Sequence, residues 1–258
     1  MDIAKSADGT TLAYDRVGEG PALVFVPGVF NLRDTCAPIA AELAEHFSCF
    51  TYDRRARGDS SNTAPYAIER EVEDLQAVID AAGGSAAVFG FSSGATLALR
   101  AAADGLPIDR LFLYEAPFRF ENHAPAAADL PQRLQQLLDE GRAADVVTTF
   151  QLEGIGLPPD MVAGIRQSPF FPHLEAMAQS VVHDATLTGT LSVPTPAMAA
   201  VGVPTVVMRG AQTWPVLAVA AERLADLLPN AKLVVLSDAA DHGLEPRSTA
   251  AAILEASS

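Results

Sequence analysis

A serine stands between two glycines at residues 90–94, where the sequence is Gly-Phe-Ser-Ser-Gly. The apolar run 86–89 precedes this segment and a helical pattern follows it, so Ser92 is predicted to occupy a sharp turn between a strand and a helix. Such a turn holds a hydroxyl clear of the backbone, and small residues on either side avoid crowding. The pattern therefore predicts that Ser92 is a nucleophile, although a glycine-rich turn with incidental serines would have the same sequence.

A serine nucleophile needs a base, and His242 is the histidine best placed to supply it. It directly follows the apolar run 232–236 and comes after Ser92 in chain order. Loops after the strands of a parallel sheet converge on one edge, so His242 can meet Ser92 there. The alternative is an ordinary surface histidine. The other histidines close a helical segment or lie in a later helical region: His46, His123, His173 and His183.

These residues need a scaffold, and most of the chain alternates short apolar runs with longer amphipathic segments. That alternation is typical of strands joined by crossover helices in a mostly parallel sheet, and so of an α/β fold. The predicted strands are residues 11–17, 22–26, 48–52, 86–89, 110–114, 204–208 and 232–236. The predicted helices are residues 35–46, 68–82, 93–103, 216–228 and 246–256.

The alternation stops between residues 117 and 202, where helical patterns follow one another without an intervening strand. These patterns cover residues 130–140, 143–152, 159–167 and 174–186. A helical insertion must lie outside the sheet, so we predict a core of residues 1–116 and 203–258 and a helical cap of residues 117–202. The cap is rich in Phe and Met. This composition favours a lid that helps to form a pocket, rather than helices that merely cover the surface of the core.

Composition limits the partners. The 258 residues include 17 Lys and Arg against 32 Asp and Glu, a formal net charge of −15. Nucleic acids and anionic membranes are bound by clustered positive charge, so neither is expected as a partner. A small-molecule substrate is expected instead, and this negative charge would favour a neutral one. The sequence does not predict the oligomeric state.

The cysteine content excludes two further classes of site. Cys36 and Cys49 are too few for a disulfide framework and lack zinc-binding spacings, so both are predicted to be reduced and structural. No metal and no cofactor is predicted. The first residues contain no apolar run after a basic cluster, which makes a cytoplasmic location the default expectation.

Four segments resemble the α/β-hydrolase family in order and spacing. They are residues 26–28 (Val-Pro-Gly), residues 52–60 (Tyr-Asp-Arg-Arg-Ala-Arg-Gly-Asp-Ser), the Ser92 turn and residues 241–243 (Asp-His-Gly). The resemblance implies an eight-stranded, mostly parallel sheet with helices on both faces and a helical cap after the sixth strand. It also implies a triad of serine, acid and histidine. Residues 52–60 are expected to form a hydrogen-bonded structural loop.

The third triad residue is open to more than one assignment. In many family members the acid follows the seventh strand, but here that loop contains the neutral Gln212 and no carboxylate. A second branch, similar to certain haloalkane dehalogenases, has the acid after the sixth strand, where this chain has Glu115. We therefore predict that Glu115 orients His242, with Asp241 as the alternative. Glu115 could instead pair with an arginine such as Arg119.

Two backbone amides are predicted to form an oxyanion hole. The turn places the amide of Ser93 beside the nucleophile, and the resemblance implies the amide of Val29 as the second donor. The family usually has histidine where this chain has Pro27, which is a departure in the same loop.

Together these residues predict a serine hydrolase. Its substrate would be a small to medium apolar ester, lactone or thioester, cleaved through an acyl-enzyme on Ser92. The alternatives on the same fold are a carbon–carbon bond hydrolase, a perhydrolase, a natural-product tailoring enzyme and a non-catalytic ligand receptor.

Overall fold

The computed structural model describes residues 1–120 and 126–257. Eight strands form one sheet in the order β1-β2-β4-β3-β5-β6-β7-β8. The β1–β2 and β2–β4 pairs are antiparallel and the other pairs are parallel, so the sheet is mostly parallel, as predicted. The strands are β1 (Asp2–Lys5), β2 (Thr11–Val17), β3 (Ala22–Val26), β4 (Ser48–Tyr52), β5 (Ala86–Phe91), β6 (Ile108–Tyr114), β7 (Thr205–Gln212) and β8 (Ala231–Ala240).

Helices cover both faces of the sheet, and each face has its own apolar core. One core packs α2 (Ile68–Ala81), α3 (Ser93–Ala103) and α10 (Pro215–Leu227) against the sheet. The other packs α1 (Ala37–Leu43) and α11 (Pro246–Ser257) against the opposite face. The central strands are buried on both faces, which explains why β3 is continuously apolar.

Helices occupy the chain between β6 and β7, and no strand lies among the described residues of that interval. The predicted helix 143–152 ends early and continues as a π-helical segment, Phe150–Ile155. The predicted helix 174–186 is two helices that meet near Met177. The helices are α4 (Leu130–Asp139), α5 (Ala143–Thr149), α6 (Pro159–Arg166), α7 (Phe171–Glu175), α8 (Ala178–Thr190) and α9 (Pro196–Ala199).

Helix α8 joins this helical region to the rest of the molecule. It packs against α4 and α5 within the region and against α2 and α3 of the core. His183 and Asp184 lie on α8 and are buried. A polar pair is therefore carried into the junction between the helical region and the sheet.

Both cysteines are free and buried. Burial raises the pKa of each thiol to about 12, so neither is a thiolate at neutral pH. No helix within the described ranges is long and apolar enough to cross a membrane.

Candidate active site

Ser92 lies between the end of β5 and the start of α3, with φ 55° and ψ −123°. Both flanking glycines are required by close packing. A Cβ at Gly90 would lie 2.5 Å from Cα of Ala95, and one at Gly94 would lie 2.1 Å from the carbonyl oxygen of Val26. The Ser92 amide donates to the carbonyl of Tyr114 at 2.9 Å, which fixes the turn to β6.

Ser92, His242 and Glu115 form a hydrogen-bonded chain. Nε2 of His242 lies 3.0 Å from Oγ of Ser92, and Nδ1 contacts Oε2 of Glu115. Because a carboxylate only accepts hydrogen bonds, it favours the proton on Nδ1 and leaves Nε2 to accept from the serine. The rings of Phe91 and Trp214 flank the imidazole, with centroids 4.9 and 5.3 Å from its own.

The buried Glu115 is held from two sides. Its Oε1 accepts a hydrogen bond from the amide of Gly210 at 2.8 Å, and its own amide donates to the carbonyl of Met208 at 2.9 Å. Gly210 and Met208 both belong to β7. The strand after which many relatives place the acid therefore supplies contacts that hold Glu115.

The other partners considered from the sequence are placed elsewhere. Asp241 and Gln212 are exposed, and neither side chain bonds His242 within the described part of the chain. The amide of Asp241 donates to the carbonyl of Gln212 instead, at 3.2 Å. Nη2 of Arg119 donates to the carbonyl of Gly154 at 2.7 Å, while Glu115 contacts His242. Of the remaining histidines, His123 lies outside the described residues.

The amides of Val29 and Ser93 adjoin Ser92 and line the same cavity. Neither donates to a protein acceptor among the residues that the structure describes. The loop around Gly28 packs closely against Ser92, since a Cβ at Gly28 would lie 2.8 Å from Cβ of Ser92. Two unused N–H donors thus lie beside the serine, and Pro27 does not prevent this arrangement.

Positive φ angles cluster at this site. Ser92, Glu115 and His242 have φ values of 55°, 49° and 61°, and the neighbouring Phe30 and Asp241 have values of 61° and 52°. Residues other than glycine rarely adopt this region, and such strain concentrates at functional sites. The sharp turn predicted at Ser92 agrees with its positive φ, whereas nothing in the local sequence predicts a positive φ at the other four residues.

A cavity of about 430 Å³ opens above the serine. Arg119 and His242 are the residues with ionisable side chains on its described wall, which contains no Asp or Glu. Within the described residues, no group of three or more His, Cys, Asp or Glu is arranged to hold a metal. Most of the wall is apolar and includes Val29, Phe30, Phe150, Ile155, Trp214 and Leu217.

A buried charge cluster lies behind the serine, and sequence reasoning missed it. It consists of Arg54, Arg57, Glu71 and Asp184, none more than 2% exposed. The arginines belong to the loop 52–60, which is hydrogen-bonded as expected. The sequence pattern does not predict that Asp184 is buried, because an aspartate in an amphipathic helix usually faces solvent.

Comparison with known proteins identifies the family. The profile of the alpha/beta hydrolase family matches residues 23–253. The chain belongs to this family. A solved alpha/beta hydrolase from Sphaerobacter thermophilus is 45% identical, with all of both chains covered and a TM-score of 0.92.

Two further similar proteins have more specific names. N-formylmaleamate deformylase from Pseudomonas putida is 34% identical over 146 residues. That match covers 55% of this chain and 53% of the deformylase, so the chain spans about half the length of that curated relative. The enol-lactonase from Burkholderia xenovorans LB400 is similar in fold, with 21% identity, a TM-score of 0.74 and 99% of each chain covered.

Proposed function

We propose that the chain is a serine hydrolase that cleaves a small to medium apolar ester, lactone or thioester through an acyl-enzyme on Ser92. One observation carries the proposal: Oγ of Ser92 lies 3.0 Å from Nε2 of His242, whose Nδ1 contacts the buried Glu115. This arrangement matches what a general base needs to activate a serine.

In the first half-reaction, Oγ of Ser92 attacks the substrate carbonyl while Nε2 of His242 takes the hydroxyl proton. The amides of Val29 and Ser93 donate to the oxyanion, and Glu115 stabilises the imidazolium. The tetrahedral intermediate then breaks its bond to the leaving group, which receives the proton from His242. The products of this step are the acyl-enzyme on Ser92 and the free alcohol or thiol; a lactone instead stays attached as a hydroxyacyl group.

In the second half-reaction, water replaces the alcohol. His242 removes a proton from the water, whose oxygen attacks the acyl carbonyl in the same oxyanion site. Collapse of this intermediate returns the proton to Oγ of Ser92 and releases the carboxylic acid. Because Ser92 occupies the nucleophile position, the alkyl-ester chemistry of relatives that use aspartate is not expected.

The cavity supports the proposed substrate class. A volume of about 430 Å³ accommodates a small or medium molecule, and its largely apolar wall suits an alkyl or aryl acyl group. Nη2 of Arg119 is tied to Gly154, so its guanidinium supplies a fixed polar contact on that wall.

An N-acyl amide is a second candidate substrate, supported by the partial match to N-formylmaleamate deformylase. The same nucleophile and oxyanion site would serve an N-formyl group. The receptor alternative has less support, because it depends on the missing carboxylate after β7, and Glu115 contacts His242 instead. Carbon–carbon hydrolysis, perhydrolysis and tailoring reactions remain alternatives on the same fold.

A fluorophosphonate probe tests the nucleophile. The wild type should be labelled on Ser92, as located by peptide mass spectrometry, and Ser92→Ala should lose the label. We expect Ser92→Ala to reduce kcat on p-nitrophenyl butyrate by at least about 10³-fold. The exchange Ser168→Ala, outside the cavity, is the matched control and should change neither reading. Labelling that persists in Ser92→Ala would rule out the assignment.

A substrate panel tests the class. Turnover of p-nitrophenyl esters of increasing acyl length should be compared with that of lactones, thioesters and N-formyl amides. Preference for an N-formyl amide over every ester would support the second candidate. Labelling of Ser92 without turnover of any panel member would contradict the proposed substrate class.

A further inference from the structure

The buried charge cluster joins the helical region to the loops around Ser92. Arg54 and Arg57 come from the loop after β4, Glu71 comes from α2 and Asp184 comes from α8. Two cations and two anions balance formally. Asp184 is the member that belongs to the region between β6 and β7, and its side chain is completely buried.

Stability alone is a weak explanation for such a cluster. Removing ions from water is costly, and well-packed apolar side chains often stabilise a core as effectively as a buried ion pair. The groups that the cluster holds in place therefore indicate its role better than its effect on stability does. Glu71 contacts Arg54 and the hydroxyl of Tyr66, whereas Asp184 contacts groups beside the nucleophile.

One oxygen of Asp184 holds Ser93. Oδ1 accepts from Oγ of Ser93 at 2.7 Å and from Nη1 of Arg54 at 2.9 Å. Nη1 of Arg54 also lies 3.2 Å from Oγ of Ser93 and 3.3 Å from the carbonyl of Pro27. The Ser93 side chain is thus fixed next to its own amide, the first proposed oxyanion donor.

The other oxygen of Asp184 acts through Arg57. Oδ2 accepts from Nη2 of Arg57, whose Nη1 donates to the carbonyl oxygens of Gly28 and, at 3.1 Å, Asn31. The Gly28 carbonyl and the Val29 amide are opposite ends of one planar peptide group. A trans peptide points these two groups in opposite directions, so the guanidinium that holds the carbonyl also sets the direction of the Val29 N–H. A hydrogen bond to the carbonyl further polarises that N–H.

We propose that Asp184 is a positioning residue for the oxyanion hole, acting on Ser93 directly and on Val29 through Arg57. The inference rests on the proposed function, since it assigns these amides to the oxyanion. It also gives α8 a part in the reaction: the helical region carries the carboxylate that aligns both donors. Asp184 touches no reacting atom and acts through its two neighbours.

The exchange Asp184→Asn tests this role. An amide at position 184 can still accept through its oxygen, but its NH₂ group faces a guanidinium donor in either orientation, on Arg54 or on Arg57. We expect kcat on p-nitrophenyl butyrate to fall by about 10- to 100-fold, somewhat less than the loss of one whole oxyanion donor, while KM changes by less than about threefold. Binding of butylboronic acid should weaken in parallel, because its tetrahedral adduct with Ser92 places an oxygen in the same hole.

The exchange Glu71→Gln is the matched control. It removes the same charge from the same buried cluster, and its direct contacts are to Arg54 and Tyr66. We expect it to lower the melting temperature by about as much as Asp184→Asn, with a much smaller loss of kcat. An equal loss of kcat in both variants, or wild-type kcat and boronate affinity in Asp184→Asn, would overturn the positioning role.

A second variant tests the positioning role if the first does not fold, and the wild-type readings show separately whether the proposed function fails. If Asp184→Asn does not fold, Ser93→Ala removes only the direct hydrogen bond between Ser93 and Asp184. This variant should lower kcat severalfold with KM nearly unchanged. A wild-type kcat in Ser93→Ala would overturn the proposal. Failure of the proposed function looks different, because the wild type itself would then show neither fluorophosphonate labelling nor ester turnover.

Discussion

Glu115 uses each carboxylate oxygen for a different purpose. Oε1 accepts from the backbone of Gly210, and Oε2 faces Nδ1 of His242. The backbone contact prevents the carboxylate from turning away, so the imidazole keeps the tautomer in which Nε2 can accept a proton from Ser92. The orientation of His242 is therefore set from β7, although Glu115 itself follows β6.

The exchange Glu115→Gln tests this arrangement. If the glutamine oxygen keeps the hydrogen bond from Gly210, its NH₂ group faces Nδ1 and favours the proton on Nε2. His242 could then no longer accept the proton of Ser92, and kcat should fall by about 10²- to 10⁴-fold on an activated ester. Initial rates and the rate of fluorophosphonate labelling measure the loss.

Asp241 provides the comparison at the neighbouring position. Its exposed side chain has no described bond to His242, so Asp241→Asn should retain near wild-type turnover. The reverse outcome, with Glu115→Gln active and Asp241→Asn inactive, would move the acid to Asp241.

For individual residues, the sequence predicts the proposed roles of Ser92 and His242 better than those of Glu115 and Asp184. Ser92 and His242 follow from a local motif and from chain order, since Ser92 comes after the buried strand β5 and His242 after the apolar run of β8. A lone glutamate after a strand is equally compatible with an ion pair, so Glu115 depended on family resemblance. Asp184 could not be predicted, because its burial results from packing between α8 and the core.

The π-helical segment Phe150–Ile155 shapes the cavity wall. Phe150, Gly154 and Ile155 all line the cavity, and the carbonyl of Gly154 anchors Arg119. A Cβ at Gly154 would lie 2.5 Å from the ring of Phe150, so the ring occupies the space that a side chain would need.

The exchange Gly154→Ala should therefore displace the Phe150 ring and change the cavity. We expect kcat/KM to fall most for the longest p-nitrophenyl esters, by roughly tenfold, the effect of about one to two methylene groups in an apolar pocket. A series from acetate to octanoate measures the change in preference.

Gly164→Ala is the control for this exchange. Gly164 lies on α6 away from the cavity, and a Cβ there would have no neighbour within 4 Å. Its chain-length profile should match the wild type. An unchanged profile in Gly154→Ala would mean that this segment does not limit the acyl group.

The central elements could be predicted because their apolar runs are uninterrupted by charge, whereas their ends could not. Strands β7 and β8 continue beyond those runs, and Gln212 pairs with Ala240 after an irregularity in register. These polar ends are held by pairing to each other, which apolar periodicity does not reveal. β1 was missed by the pattern because four residues at a sheet edge give too short an alternation.

The net charge of −15 is not concentrated on the cavity wall or in the buried charge cluster. The described cavity wall has no acidic side chain, and the buried charge cluster has equal numbers of cations and anions. The excess negative charge therefore lies largely elsewhere and acts on a substrate from a distance, where salt screens it.

Stability of the whole chain should depend on pH through His183. Its ring stacks on Tyr66, and burial lowers its pKa from 6.5 to about 4. Below pH 6.5 the unfolded chain binds this proton while the folded chain does not, so the free energy of unfolding should fall between pH 6.5 and 4. The full contribution is on the order of 3 kcal/mol. The lowered pKa of Glu71, about 2, adds a loss only below about pH 4.5.

Urea unfolding at pH 7.0, 6.0 and 5.0 measures this dependence. The exchange His183→Phe keeps an aromatic ring against Tyr66 and removes the titrating group. Its stability should vary less over this range than that of the wild type. Equal slopes in the two proteins would show that His183 is not the cause.

The backbone conformation of Ser92 has a cost that the enzyme bears even without substrate. Its φ of 55° with ψ of −123° suits glycine better than serine. We expect Ser92→Gly to be inactive yet more stable by about 1 kcal/mol, after the greater chain entropy of glycine is subtracted. Thermal unfolding measures this, with Ala102→Gly in α3 as a control that should lose stability. Under the proposed mechanism, selection for activity retains serine at this position, whereas selection for thermal stability alone would favour glycine.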